Sequence, residues 1–320
     1  MSAEAAFIAA LQAIATAPDA RGLVDDVAVL QLGDSRLVLT MDTIVSGVHF
    51  LPDDPPETVA WKLVATNVSD LAAKGAFPRG CLMSYALAPR EDWNAAFLRG
   101  LDQACAHFAI PLLGGDTVRP LSPDSRSFSL VALGEPAAGV AVPTRSGAAA
   151  GDLLWVSSTI GDAGLGLSVL RDGRKAERAH REFLVMRYRT PSPNIALGAG
   201  LAPQVTAMMD VSDGVLIDCS RLAAASGVAA VIDLDRLPLS GAFVDTWGER
   251  VSERLFAASA GDDYCLLFTA PPSAQSAILA TAAECGGSLY CIGRIMGGRG
   301  LSVLSGGEPV ALPARLGFQH

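Results

Sequence analysis

The sequence has 320 residues, 50% of them hydrophobic and 18% charged, with a formal net charge of -9. That length suits two medium domains, and an acidic chain with no Lys/Arg run does not build a nucleic-acid groove. No uninterrupted apolar run approaches the roughly 20 residues of a membrane span. Cys81, Cys105, Cys219, Cys265, Cys285 and Cys291 form no C-x-x-C pair and sit among apolar or small neighbours. They read as reduced core residues of a cytoplasmic protein, with a zinc site as the alternative. The acidity leaves room for a phosphate ligand, because bound divalent cations can neutralise carboxylates and present positive charge.

Along the chain, "MSAEAAFIAALQAIAT" places Phe7, Ile8, Leu11 and Ile14 on one face of a short amphipathic helix. It has Glu4 and no basic start, so it is not a signal peptide. "VAVLQLGDSRLVLTMDT" predicts two strands turning at Gly33-Asp34, with Asp42 at the end of the second. "PPETVAWKLVATNVSDLAAKGA" has helical spacing and opens on Pro56, which suits a first turn. "GCLMSYALA" predicts a strand. "EDWNAAFLRGLDQACAHF" predicts a helix with Trp93, Phe97, Leu101 and Cys105 on one face. "IPLLGGDT" predicts a strand running into a Gly-Gly turn, and "SFSLVALGE" another strand. The Ala-, Gly- and Pro-rich stretch that follows marks a domain boundary, giving domains 1–138 and 139–320. Beyond it come a strand at "DLLWVSST", glycines opening a helix at "IGDAGLGLSVL", and a charged, solvated helix and loop near "RDGRKAERAHREF". "VTAMMDVSDGVLIDCSRLAAAS" predicts strand, turn and helix. "VAAVIDLDRLPL" and "DDYCLLFTA" predict strands, "AQSAILATAAEC" a helix and "SLYCIGRIM" a closing strand. The fold class is two α/β or α+β domains.

Acidic residues recur in short polar or Gly-rich segments: Asp25-Asp26, Asp42, Asp70, Asp116, Asp210, Asp213 and Asp262-Asp263. Each alone is ordinary turn or N-cap chemistry. Together they form a rim of carboxylates that repel unless a cation is shared. With no His- or Cys-rich alternative, that cation is a hard one such as Mg²⁺. An Asp-rich, His-poor rim suits metal-assisted phosphoryl transfer. No G-x-x-x-x-G-K-[ST] motif occurs, and the glycines of "GDAGLGL" fit close packing or a helix start better than a dinucleotide fingerprint.

The segments "VDDVAVL", "LTMDTIVSGVHFLPD", "NVSDLAAKGAFP", "LLGGDTVR", "TRSGAAAGD", "MDVSDGVLID" and "GDDYCLLF" occur in the order found in thiamine-monophosphate kinases. The resemblance runs from about residue 24 to the last strand. "DTxVxGxHF" is its most specific element, while "GGDT" and "SDG" also occur in the related aminoimidazole ribonucleotide synthetases and selenophosphate synthetases. It implies a two-domain aminoimidazole ribonucleotide synthetase-like fold and a homodimer paired through the N-terminal sheets. The implied reaction moves the γ-phosphoryl group of ATP onto thiamine monophosphate, with several Mg²⁺ ions and K⁺ as a further candidate ion. By motif position, Asp26, Thr40, Met41, Asp42, Asp70, Asp116, Asp210 and Asp213 are the implied metal positions, Met41 through its backbone carbonyl. Gly115, Asp116, Arg145 and Ser212 are the implied ATP contacts. His49, Asp262 and Phe318 are the implied thiamine contacts, with Arg315 near the last. The chain departs from the family pattern at Val24, where a Gly usually stands, at Thr40-Met41, where two hydroxyl residues are usual, and at Asp262, where the signature has Glu.

Two other readings compete. One is a different ATP-using enzyme of the same superfamily, such as an aminoimidazole ribonucleotide synthetase. The other is an inactive relative that serves as a binding protein. The "DTIVSGVHF" element opposes the first, and the full set of acids opposes the second.

Overall fold

The structure is a computed structural model that describes residues 3–88, 90–120 and 126–319. Helix α1 (Ala3–Gln12) forms where the periodicity placed it, but Phe7, Ile8 and Leu11 stay exposed and Ile14 lies beyond its end. Its neighbour is the short 3-10 segment Pro18–Leu23, which buries no residue of its own and has little surface to cover that face.

The expected hairpin is β1 (Ala28–Leu32) and β2 (Ser35–Val45), closed at Gly33-Asp34. Gly33 takes φ +60°, the left-handed conformation that a two-residue turn requires. β2 runs on to Val45, so Asp42 lies inside the strand rather than at its end. Helix α2 (Pro56–Ala73), β3 (Ala76–Ala86), α3 (Glu91–His107), β4 (Leu112–Val118) and β5 (Ser127–Pro136) complete this half. The sheet order is β1-β2-β5-β3-β4, antiparallel except for the β3–β4 pair. Strand alternation turns Val38, Ile44, Phe128, Leu130, Cys81 and Tyr85 toward Leu63, Trp93 and Phe97 of the two helices. The expected Gly-Gly turn is corrected: Gly114 and Gly115 sit within β4. A Cβ on Gly115 would stand 1.9 Å from the Met83 carbonyl oxygen, so glycine is what lets β4 pair with β3 there.

The second half comprises β6 (Leu153–Val156), α4 (Asp162–Arg171), α5 (Arg178–Arg189), α6 (Ile195–Leu201), β7 (Ala207–Asp210), α7 (Val215–Ser226) and β8 (Ala229–Asp233). After these come α8 (Gly241–Trp247), α9 (Val251–Ser259), β9 (Leu266–Ala270), α10 (Gln275–Glu284), β10 (Tyr290–Met296), β11 (Gly300–Ser305) and β12 (Glu308–Val310). Their sheet runs β12-β11-β8-β10-β6-β9-β7, and β11 pairs with β8 in parallel. β10 is therefore not the closing strand, and α6, α8 and α9 were not anticipated. Helices of 7 to 9 residues are too short for a periodic apolar signal.

α2 joins the halves. From Val59 onward every residue except Trp61 is buried. Its middle faces the first sheet, while Ala72 and Ala73 pack with Leu197, Leu201, Met208 and Phe268 of the second half. No helix among the described residues is long and apolar enough to cross a membrane.

Candidate active site

A cavity of about 710 Å³ opens at the junction of the two halves. Asp26 reaches it from the segment before β1, Asp42 from β2 and Asp70 from α2. The second half supplies Asp210 from the end of β7, then Ser212 and Asp213 from the turn into α7. The acids thus converge from two sheets and a helix, not along the rim of one sheet. Ligand atoms of Asp26, Asp70 and Asp210 lie within 4.8 Å of one another. The Thr40 hydroxyl donates to Asp70 Oδ2, and the Ser69 hydroxyl donates to Asp210 Oδ2 at 2.7 Å. The Asp42 backbone N–H donates to Asn67 Oδ1 at 3.0 Å, which fixes β2 against α2.

The acids differ in how their charge is met. Burial works to raise Asp26, but Lys74 and Arg145 prevail and hold it below the usual carboxylate range. Lys74 pairs with Asp26 Oδ2 at 2.7 Å and with Asp25 at 2.6 Å, and Arg145 takes Asp26 Oδ1. Asp213 is paired with Arg221 at 2.5 Å. Asp42, Asp70 and Asp210 form no ion pair among the described residues. Burial and then Asp26 push Asp42 up to about 6 and Asp210 up to about 8. Burial, Asp42 and Asp210 push Asp70 well above its ordinary value. Buried carboxylates that repel one another and lack a cation fit a hard divalent ion.

The far wall holds the expected thiamine contacts. His49 Nδ1 accepts the Val45 N–H at 3.0 Å, which leaves the proton of the neutral ring on Nε2. The His49 and Phe318 rings stand 6.5 Å apart. Phe318 and Arg315 both line the cavity, and the Phe318 N–H donates to the Asp213 carbonyl at 3.0 Å. A Cβ on Gly317 would lie 2.5 Å from that carbonyl, so glycine lets the C-terminal segment fold across the site. Asp262 adopts φ +71°, a left-handed conformation unusual for a residue with a side chain. Its N–H donates to the Ser212 carbonyl at 2.8 Å, tying this wall to the acidic turn.

Three of the residues named from the sequence stand elsewhere. Met41 is 62% exposed and points from the opposite face of the first sheet. Gly115 and Asp116 lie on the exposed edge strand β4, outside the cavity lining. Across the register Asp116–Ser84–Ser129–Thr43, Asp116 is three strand spacings from β2, or about 14 Å. Sequence reading missed Lys62 and Lys74. The available signal was a lysine at an otherwise apolar position of α2 and another capping the same helix.

The chain matches the family model "AIR synthase related protein, N-terminal domain" over residues 24–135 and its C-terminal counterpart over residues 149–305. It is 40% identical to thiamine-monophosphate kinase of Caulobacter vibrioides over 309 residues, covering 95% of this chain and 86% of that one. The chain belongs to the thiamine-monophosphate kinase family. The Escherichia coli K12 enzyme is 34% identical, covering 93% of this chain and 91% of that one. Among solved structures, AaThiL complexed with AMPPCP and TMP superposes with a TM-score of 0.82 at 29% identity, over 95% of this chain and 93% of that one. The thiamine-monophosphate kinase of Stenotrophomonas maltophilia K279a gives 0.79 at 38% identity, over 95% of both chains. The two-domain α/β architecture is the family's.

Proposed function

We propose that this protein is the ATP-dependent kinase that converts thiamine monophosphate to thiamine diphosphate, in the cytoplasm. One observation carries the reading. The cavity that gathers Asp26, Asp42, Asp70 and Asp210 beside Arg145 also holds His49, Asp262 and Phe318 on its other wall. One end suits the phosphates of two substrates, the other an aromatic cation.

The acceptor is a phosphate oxygen that is already anionic near neutral pH, so no strong base is needed. The obstacles are repulsion between two anions and their alignment. Mg²⁺, when bound, would neutralise charge on the phosphates. Asp26, Asp70 and Asp210 would hold it, with Asp42 and Asp213 beside them and Thr40 orienting Asp70. Arg145 adds a fixed positive charge for the phosphates of ATP, and Ser212 lines the same cavity from the acidic turn. His49, Asp262 and Phe318 orient the thiamine end so that its phosphate points at the acids.

Met41, Gly115 and Asp116 fit the same reading through a dimer. The uncovered face of the first sheet exposes Met41 (62%), Leu113 (61%) and Leu82 (43%) beside the polar Thr43, Ser84 and Asp116. Two such faces packed together would bury the apolar part and bring Asp116 of one copy near the other's cavity. The test is to incubate the protein with ATP, Mg²⁺ and thiamine monophosphate and to follow thiamine diphosphate as its fluorescent thiochrome. Product that disappears on chelation supports the reading. A folded, ATP-binding protein that makes none is instead a sister enzyme.

A further inference from the structure

Lys62 has no task in the mechanism above, yet it lies between two of the elements assigned to thiamine. It stands on α2 among apolar neighbours and is 2% exposed. Its ammonium donates to the His49 carbonyl at 2.9 Å, pairs with Asp262 Oδ2 at 3.0 Å and sits 4.0 Å from the centre of the Tyr188 ring. The partners come from the loop after β2, the loop before β9, and α5, so one side chain ties both halves of the molecule together. A buried ammonium is unfavourable unless so many partners meet it, and here each is supplied by a different segment.

Asp262 is held from both sides. The Tyr264 hydroxyl donates to its Oδ1 at 3.2 Å, while Lys62 takes Oδ2. Its side chain is one methylene shorter than the Glu of the resembled signature. Its direction therefore matters more, because it has less reach with which to correct a wrong one. Without Lys62, the carboxylate keeps, among the described residues, the long hydrogen bond from Tyr264, and the His49 carbonyl loses the ammonium that donates to it.

We propose that Lys62 is a positioning residue for the thiamine end of the site. It aims the Asp262 carboxylate and locks the His49 loop in register with it across the domain junction. The proposal rests on the functional reading above and goes beyond it by naming what sets the thiamine contacts in place.

The test separates positioning from bulk stability. Lys62→Gln keeps a donor for the His49 carbonyl and drops the charge. The KM for thiamine monophosphate should rise about tenfold, the size of one lost charge-assisted hydrogen bond, while the KM for ATP stays within about twofold. Lys62→Arg, which keeps the charge, should restore most of the loss. In an Asp262→Asn background, Lys62→Gln should add nothing further, because Lys62 acts through Asp262. Equal rises in both KM values, or additive effects in the double variant, overturn the proposal. If Lys62→Gln does not fold, Lys62→Met, which fills the space over Tyr188 with neither charge nor donor, is read by the split between the two KM values alone. Wild-type protein that makes no thiamine diphosphate overturns the functional reading itself. Wild-type turnover with an additive cycle overturns only the role of Lys62.

Discussion

Asp42→Asn should make the metal-free protein more stable and the enzyme nearly inactive. In the folded chain the Asp42 carboxyl is pushed up from 3.8 to about 6, first by burial and then by Asp26. A raised value means that ionising Asp42 opposes folding. The penalty is absent below about pH 4 and complete above about pH 6. The shift from 3.8 to about 6 corresponds to about 3 kcal/mol at pH 7.5. Asn removes that charge while it can still accept from Thr66, whose hydrogen bond favours the carboxylate. In EDTA at pH 7.5 the variant should therefore melt about 5 °C above the parent, and at pH 4 the gain should vanish. Adding Mg²⁺ should raise the melting temperature of the parent much more than that of the variant. Turnover should fall by about a thousandfold, because losing one ligand costs several kcal/mol of transition-state stabilisation, roughly. Thermal melts with and without Mg²⁺, together with the thiochrome assay, read all of this. A variant that melts below the parent in EDTA, or that gains as much from Mg²⁺ and turns over normally, would refute the reasoning.

Asp210 is pushed up to about 8 and Asp42 to about 6, so metal-free stability should decline as pH rises from 5 to 8. The Mg²⁺-induced rise in melting temperature should grow over the same window, and a rise that does not change with pH would contradict the linkage. His49→Ala should raise the KM for thiamine monophosphate more than that for ATP, and the reverse pattern would remove His49 from the thiamine wall. Leu113→Asp puts a charge on the uncovered sheet face and should convert a dimer to a monomer by native mass measurement. A parent that is itself monomeric would sink the dimer reading.

Much of the fold was legible because its long elements carry strong periodic signals. β2 alternates, α2 opens on Pro56, and α3 repeats Trp93, Phe97 and Leu101 on one face. The misses have local causes. Gly114-Gly115 looks like a turn, yet Gly115 serves a close backbone approach inside β4 that no single-chain pattern reveals. The short helices α6, α8 and α9 span too few turns to show a period. β11 and β12 follow a glycine-rich turn that reads as an ending. For the site, acid after acid could be found by eye, but two properties could not. One is which face of the sheet each occupies, since Asp42 and Asp116 fall on opposite faces of the same sheet. The other is which acids have a cation waiting, because Lys74 and Arg145 are far from Asp26 in sequence or seem to belong to a helix end and a linker.

That second property explains how an acidic junction can be both a structural seam and a reactive site. Asp25, Asp26 and Asp213 are matched by Arg21, Lys74, Arg145 and Arg221, and these pairs tie their segments together. Among the described residues, the carboxyl groups of Asp42, Asp70 and Asp210 are met by the hydroxyls of Thr66, Thr40 and Ser69 and by no cation. Their mutual repulsion is tolerated because α2 and its packing against both halves fix the backbone around them. Such preorganised, uncompensated charge favours any event that brings positive charge to this point and opposes bare anions. A phosphoryl donor arriving with its metal ions supplies that charge, and one arriving without them does not. Under the proposed function, the same imbalance that opposes the metal-free fold at neutral pH would favour phosphates that arrive with their metal ions.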